Sequence, residues 1–284
     1  MDLNGDGIHD ILTGSYARMD GGPWQGLFYV FWGKKGGGFA QSVPLEGTDG
    51  EVLAIAHENG DAICTRPFAV DWDKDGDLDL IVGGSEGGLY LFTGEGQGRF
   101  APGSKQIMAG AKPLVVPGKH ADPQMVDWDG DGDLDILSGS NNAGIHWAEN
   151  VAEDGDLPAF KGFNTLISLK GGDKTSTYLA HKIKGPTMTT RVWASDRNGD
   201  GKLDLTVGDY ARILKPKPGQ TTEDLDEAYA AWTTRQAEML REVRMKEGKE
   251  EKRAAYDAYK AHKKIQDDLG LMSRIGRVWV YIQQ

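Results

Sequence analysis

An all-β fold built from repeated four-stranded blades, a β-propeller, is the architecture the sequence predicts, with one α-helical hairpin inserted near its end. Three observations carry this. The pattern Asp-x-(Asp/Asn)-x-Asp-Gly-x-x-Asp occurs four times, starting at residues 2, 71, 127 and 196, so the copies lie 69, 56 and 69 residues apart. Each copy is followed by a short apolar run ending in Gly, and a unit of this length has room for about four strands. Residues 222–269 alone break the pattern: they are rich in Ala, Glu, Lys and Arg and contain no proline.

The unit reads as strand, acidic loop, strand, strand, strand. The first strand is Pro67–Val70, Gln124–Val126 and Val192–Ala194. The second is Ile11–Leu12, Leu80–Val82, Ile136–Leu137 and Leu205–Val207, β-prone and closed by glycine. The third begins with glycine 17 residues after the loop start, at Gly88 and Gly144. The fourth is expected to carry Phe39, Phe100 and Phe160.

In unit four the third strand is due near Ile213, but its match starts at Gly276, so 63 residues are inserted. Leu225, Tyr229, Trp232, Met239 and Val243, then Tyr256, Tyr259 and Ile265, recur at helical spacing. Thr222 reads as an N-cap and Gly248 as the break between two helices. The expected division is therefore blades over 1–220, a helical hairpin over 221–269 and a closing strand over 270–284. Unit one has no first strand and unit four no fourth, which points to a missing N-terminal piece and to five blades, with four as the runner-up.

The loops crowd carboxylates that repel one another unless a hard cation sits among them. Calcium takes about 6–8 oxygens in flexible geometry. Side chains at positions 1, 3, 5 and 9, with a backbone carbonyl at 7, supply such a set. In the four loops these are Asp2, Asn4, Asp6, Ile8 and Asp10; Asp71, Asp73, Asp75, Asp77 and Asp79; Asp127, Asp129, Asp131, Asp133 and Asp135; and Asp196, Asn198, Asp200, Lys202 and Asp204. Ile8 and Lys202 at position 7 suggest a side chain pointing away. An EF-hand is excluded, because position 12 holds Thr13, Val82, Ser138 and Val207 rather than Glu, and strands rather than helices follow. Magnesium prefers small octahedral sites that retain water. A metal-free Asp/Gly turn does not need acids at all four positions together. About four Ca²⁺ are expected.

The loops and strands resemble the FG-GAP/VCBS repeat family, whose calcium loops also occur in the integrin α-subunit propeller. The residues that carry the resemblance are the run from Asp77 to Gly84 and the strand Gly88–Phe92. It covers about residues 1–213 and 276–284, and is closest to secreted bacterial proteins with a helical insertion in the last repeat. The family implies the fold and calcium; its members serve adhesion, sugar binding and enzyme decoration alike.

Net charge is −11, and the loops alone hold 16 Asp, so the acidity belongs largely to them. No basic stripe suggests nucleic acid, and no apolar run is long enough to span a membrane. Cys64, the only cysteine, reads as a buried inert thiol. Loops of this kind fill at extracellular calcium levels, so a secreted, periplasmic or cell-surface location is expected, with any signal peptide in the missing N-terminus.

His57, His120 and His181 fall in connections between units and read as surface histidines rather than a metal or acid–base site. Gly36–Gly38 reads as a hairpin turn, and no nucleophile elbow, zinc-protease or phosphate-loop motif is present. The expected function is recognition or adhesion toward a glycan or protein; an enzyme or accessory domain acting on polysaccharide is the alternative. The connections opposite the acidic loops hold most of the length variation, and Trp24, next to Pro23, is the candidate ligand-stacking residue there.

Overall fold

In the computed structural model, residues 1–17, 24–55, 62–153, 156–169 and 177–283 are described. The described chain is mostly β, with two α-helices, and its sheets are open. It divides into two compact units, one of Met1–Gly172, Pro186–Asp209 and Arg277–Gln284, the other of Asp173–Gly185 and Tyr210–Gly276.

The first unit holds the repeats. Sheet one is β1 (Ile11–Gly14), β2 (Phe28–Phe31) and β3 (Val43–Pro44). Sheet two is β4 (Arg66–Val70), β5 (Asp79–Gly83), β6 (Leu89–Phe92) and β7 (Lys105–Gln106), followed by a small ribbon of β8 (Met108–Ala109) and β9 (Lys112–Pro113). Sheet three is β10 (Asp122–Val126), β11 (Asp135–Gly139), β12 (Gly144–Ala148) and β13 (Asn164–Ser168). Neighbouring strands in these sheets are antiparallel and follow chain order. After β14 (Thr177–Leu179) and β15 (Met188–Ser195), the long strand β16 (Asp204–Lys215) pairs with β15 and with β17 (Leu271–Tyr281).

The apolar second strands are explained by burial on both faces. Side chains alternate between the faces of a strand. Leu80 and Val82 join a core with Phe28, Val30 and Phe92 of sheets one and two. Ile81, between them, joins Met125, Ile136 and Ala148 of sheet three. Leu137 then turns to Val192, Leu205 and Val207. Each core thus lies between consecutive sheets, and a continuous apolar run is what such a strand needs.

One contact recurs at each sheet-to-sheet junction. The N–H of Thr65 donates to Ser15 O at 3.1 Å, that of Ala121 to Gly84 O at 3.1 Å, and that of Thr190 to Ser140 O at 2.8 Å. Beside it a glycine ends the preceding sheet's strand. A Cβ on Gly14, Gly83 or Gly139 would collide with the carbonyl of Thr65, Ala121 or Thr190 respectively. Gly208 holds the same place in β16, where the nearest atom to such a Cβ is Arg191 Cβ at 3.7 Å.

Three expectations need correction. Phe39, Phe100 and Phe160 sit in isolated bridges to Gly33, Gly94 and Asn150, ahead of the fourth strands, so they close the turn rather than form the strand. Ile213 does not begin a third strand, because the alternating run through Tyr210, Ala211, Arg212 and Ile213 prolongs β16, and β17 starts at Leu271 rather than Gly276. The helix cap is Thr221, not Thr222: Asp224 N–H donates to Thr221 Oγ1 at 3.0 Å and Thr221 N–H to Asp224 Oδ2 at 2.9 Å. The capping box needs its acid three residues after the cap, and only Thr221 meets that spacing here.

The second unit carries α1 (Thr222–Met245) and α2 (Lys249–Lys264), with Gly248 as the N-cap of α2. Leu225, Trp232 and Val243 of α1 are buried, and the Trp232 ring stacks on His262 at 5.8 Å. In this unit β14 runs parallel to the end of β16, Thr177–Leu179 against Arg212–Leu214. Among the described residues no helix is long and apolar enough to cross a membrane.

Candidate metal centre

The four acidic loops leave the first strand of a sheet, where one is present, and enter the second. Their glycines serve the turn: position 6 is left-handed in all four, with φ of 82° at Gly7, 96° at Gly76, 98° at Gly132 and 86° at Gly201. Position 4 is left-handed as well, and in loop two it is Lys74, φ 62°, which a side chain makes costly.

Position 1 organises the loop backbone. Asp127 accepts from Gly130 N–H at 2.8 Å and Gly132 N–H at 3.1 Å, and Asp2 and Asp196 accept from the matching glycines. Position 5 accepts the N–H of position 7 throughout: Asp6 from Ile8, Asp75 from Asp77, Asp131 from Asp133 and Asp200 from Lys202.

Position 9 is buried in all four loops. Its carboxylate spans the sheet end. Asp10, Asp79, Asp135 and Asp204 each accept the N–H of position 2, from Leu3, Trp72, Trp128 and Arg197. The other oxygen of each accepts an N–H from further along the chain: Gly33, Gly94, Asn150 and Gln283. This acid is a structural clasp, whatever else it ligates. Burial pushes the carboxyls of Asp79 and Asp135 up, and these backbone donors hold them back.

Loops two and three differ from loops one and four. Asp71, Asp73 and Asp79 bring carboxylate oxygens within 4.8 Å of one another, as do Asp127, Asp129 and Asp131, and each group could hold a metal ion. Asp71 Oδ1 and Asp133 Oδ1 are buried without a hydrogen-bond partner. The Asp133 carboxyl is pushed up to about 6, first by burial and then by Asp131, Asp135, Asp129 and Asp127. Its side chain therefore does not simply point away, as position 7 was expected to do. Oxygen-only donors with unsatisfied lone pairs fit a hard divalent cation. In loops one and four a neutral Asn replaces one carboxylate and donates a hydrogen bond to another: Asn4 Nδ2 to Asp6 at 3.4 Å and Asn198 Nδ2 to Asp200 at 3.0 Å.

The remaining candidates lie elsewhere. Trp24 is 54% exposed and meets Tyr16 edge to face, ring centres 6.0 Å apart. Gly36–Gly38 is a turn, closed by Lys34 N–H to Gly38 O at 3.0 Å. His57 and Pro23 lie outside the described residues. Among the described residues no histidine joins a metal-type cluster. His181 pairs with Asp226 at 3.0 Å, and burial with Arg66 and Arg191 holds His120 below its usual value. Cys64 is a buried free thiol, pushed up by burial.

Sequence reasoning missed one constellation. Arg66, Asp122 and Arg191 stand five residues ahead of loops two, three and four, at equivalent places in β4, β10 and β15. Both arginines pair with one oxygen of Asp122, at 3.3 and 3.5 Å. The equal offset from each loop was the available signal.

Acidic turns repeated between antiparallel strands, with a buried clasp closing each, define a repeat protein of successive β-sheets, each entered through an acidic loop. Residues 71–138 match the FG-GAP-like repeat family, so the chain carries an FG-GAP-like repeat running from loop two through sheet two to β11. No curated protein matches the chain.

Proposed function

We propose that the chain is a calcium-held β-propeller that acts outside the cell as a recognition or adhesion module. The observation that carries the reading is the unbalanced carboxylate clusters of loops two and three, with buried unpartnered oxygens on Asp71 and Asp133. Calcium would be held by side chains at positions 1, 3 and 5 of each loop, by the carbonyl at position 7 and by the remaining lone pairs of the position 9 acid. The ion would neutralise charge that the loops bring together but do not satisfy.

The propeller reading is supported by three cores between consecutive sheets and by β4, which lies against β1 and β10, and β10, which lies against β15. The helical hairpin is read as an insertion into the last blade. Loops tuned to roughly 0.1–1 mM calcium suit the periplasm, cell surface or medium. The test is calorimetric titration of the chelator-stripped protein with CaCl₂. About four sites are expected, two of them tighter; absence of calcium binding overturns the reading.

A further inference from the structure

The charges at the innermost strands do not balance. Arg66 and Arg191 share one carboxylate, and Asp122 spends a single oxygen, Oδ1, on both Nε atoms. Arg66 Nη1 donates to Cys64 O at 2.6 Å and Arg191 Nη1 to Thr190 O at 2.9 Å. Among the described residues neither Nη2 has a protein partner. Two guanidinium groups, a quarter and a third exposed, therefore face one anion with donors to spare on each. Burial and then Arg191 hold the Arg66 guanidinium below its usual value, as expected of crowded like charges.

These groups line an open cleft of about 470 Å³, together with Thr13, Ser15 and Tyr16. Tyr16 is 63% exposed and is fixed there by Cys64 N–H, which donates to its carbonyl at 2.9 Å. Trp24 stands edge-on to it. The backbone at the rim is strained. Cys64, His120 and Thr189 stand two residues ahead of Arg66, Asp122 and Arg191, and have φ of 57°, 52° and 52°. Left-handed conformations at non-glycine residues cost energy and persist where the surroundings fix them, often at functional sites.

We propose that this cleft binds the carboxylate of an acidic sugar, clamped by Arg66 and Arg191, with the sugar ring against Tyr16. A guanidinium presents paired donors that match a carboxylate, and the second arginine supplies the charge that Asp122 leaves over. An exposed aromatic beside two cations suits a ring that carries an acid group. The inference rests on the reading of the chain as a recognition module, and names its ligand class.

The experiment is calorimetric titration of the full chain, in 1 mM CaCl₂ throughout, with a glucuronate-containing oligosaccharide and with the same oligosaccharide after carboxyl reduction. Binding of the acidic form at least about tenfold tighter than the reduced one is expected. Arg66→Gln and Arg191→Gln should each weaken it about tenfold or more without moving the calcium isotherm. Arg66→Lys, which keeps the charge but loses the fork, should weaken it less. Asp122→Asn should tighten it, an effect no purely structural role produces. Equal affinity for the two sugars, or arginine variants without effect, overturns the proposal. Binding of a neutral glycan or a peptide with the cleft uninvolved overturns this site and leaves the recognition reading standing. No binding across glycans and peptides sinks both.

Discussion

Asp79 accepts the backbone N–H of Gly94 at 2.7 Å through one carboxylate oxygen, while the other takes the N–H of Trp72, also at 2.7 Å. One buried acid thus ties the start of its loop to the end of β6. Fold and metal roles can be separated on this basis. Asp79→Ala strands two buried donors and should destabilise the chain by about 3 kcal/mol even without calcium, and by more in its presence. Asp73→Asn should lower the melting temperature only when calcium is present. Thermal melts of both variants in CaCl₂ and in EDTA check the pair.

Loops two and three should hold calcium most tightly, since Asn4 and Asn198 already satisfy the position 5 acids of the other two. A site held at 100 times its Kd stabilises a fold by about 2.7 kcal/mol. EDTA should therefore lower the melting temperature by many degrees, and Asp127→Asn should remove part of that difference. An EDTA-insensitive melt would contradict it.

Two groups should pull the pH dependence in opposite directions. Asp133, raised to about 6 from 3.8, holds its proton more tightly in the folded calcium-free chain. Its contribution is fully present below the unfolded value and is lost as pH rises through about 6. His146 is lowered from 6.5 to about 4 by burial. The unfolded chain takes that proton first, so its contribution is present above 6.5 and lost as pH falls to about 4. His146 is 1% exposed, and the loss should be on the order of 3 kcal/mol. In urea melts of calcium-free protein, His146→Gln should flatten the acid side and Asp133→Asn the neutral side.

Lys74 occupies a left-handed position that glycine fills in the other three loops. Lys74→Gly should stabilise the calcium-free chain by about 1 kcal/mol, read as a shift in the urea midpoint.

Gly139→Ala should cost about 3 kcal/mol or more, because its methyl group meets the Thr190 carbonyl. Gly208→Ala, at the same place in β16 but without a backbone neighbour, should change stability by less than about 0.5 kcal/mol. Denaturant midpoints of the two variants test the contrast.

The loops and strand order were legible because a nine-residue acid pattern fixes its own register, and strands buried on both faces read as unbroken apolar runs such as Leu80–Val82. Strand ends were less so. Phe100 is fully buried yet lies in a turn, and apolarity alone cannot separate the two. The clasp of Asp79 was hidden, since a ligand and a backbone acceptor require the same residue type. The Arg66–Asp122–Arg191 group escaped because the place repeats while its chemistry changes sign.

The glycines that meet Thr65, Ala121 and Thr190 carry no side chain of their own into the junction, so the carbonyl of the next sheet's strand can approach the bare backbone there and helps set the pitch. The neighbouring place on the inner strand is thereby released from any duty as a spacer. It can carry arginine in one repeat and aspartate in the next without altering the geometry of the frame. Such a scaffold resembles a keyboard of fixed pitch, on which the pattern of charge facing the cleft can be rewritten one residue at a time.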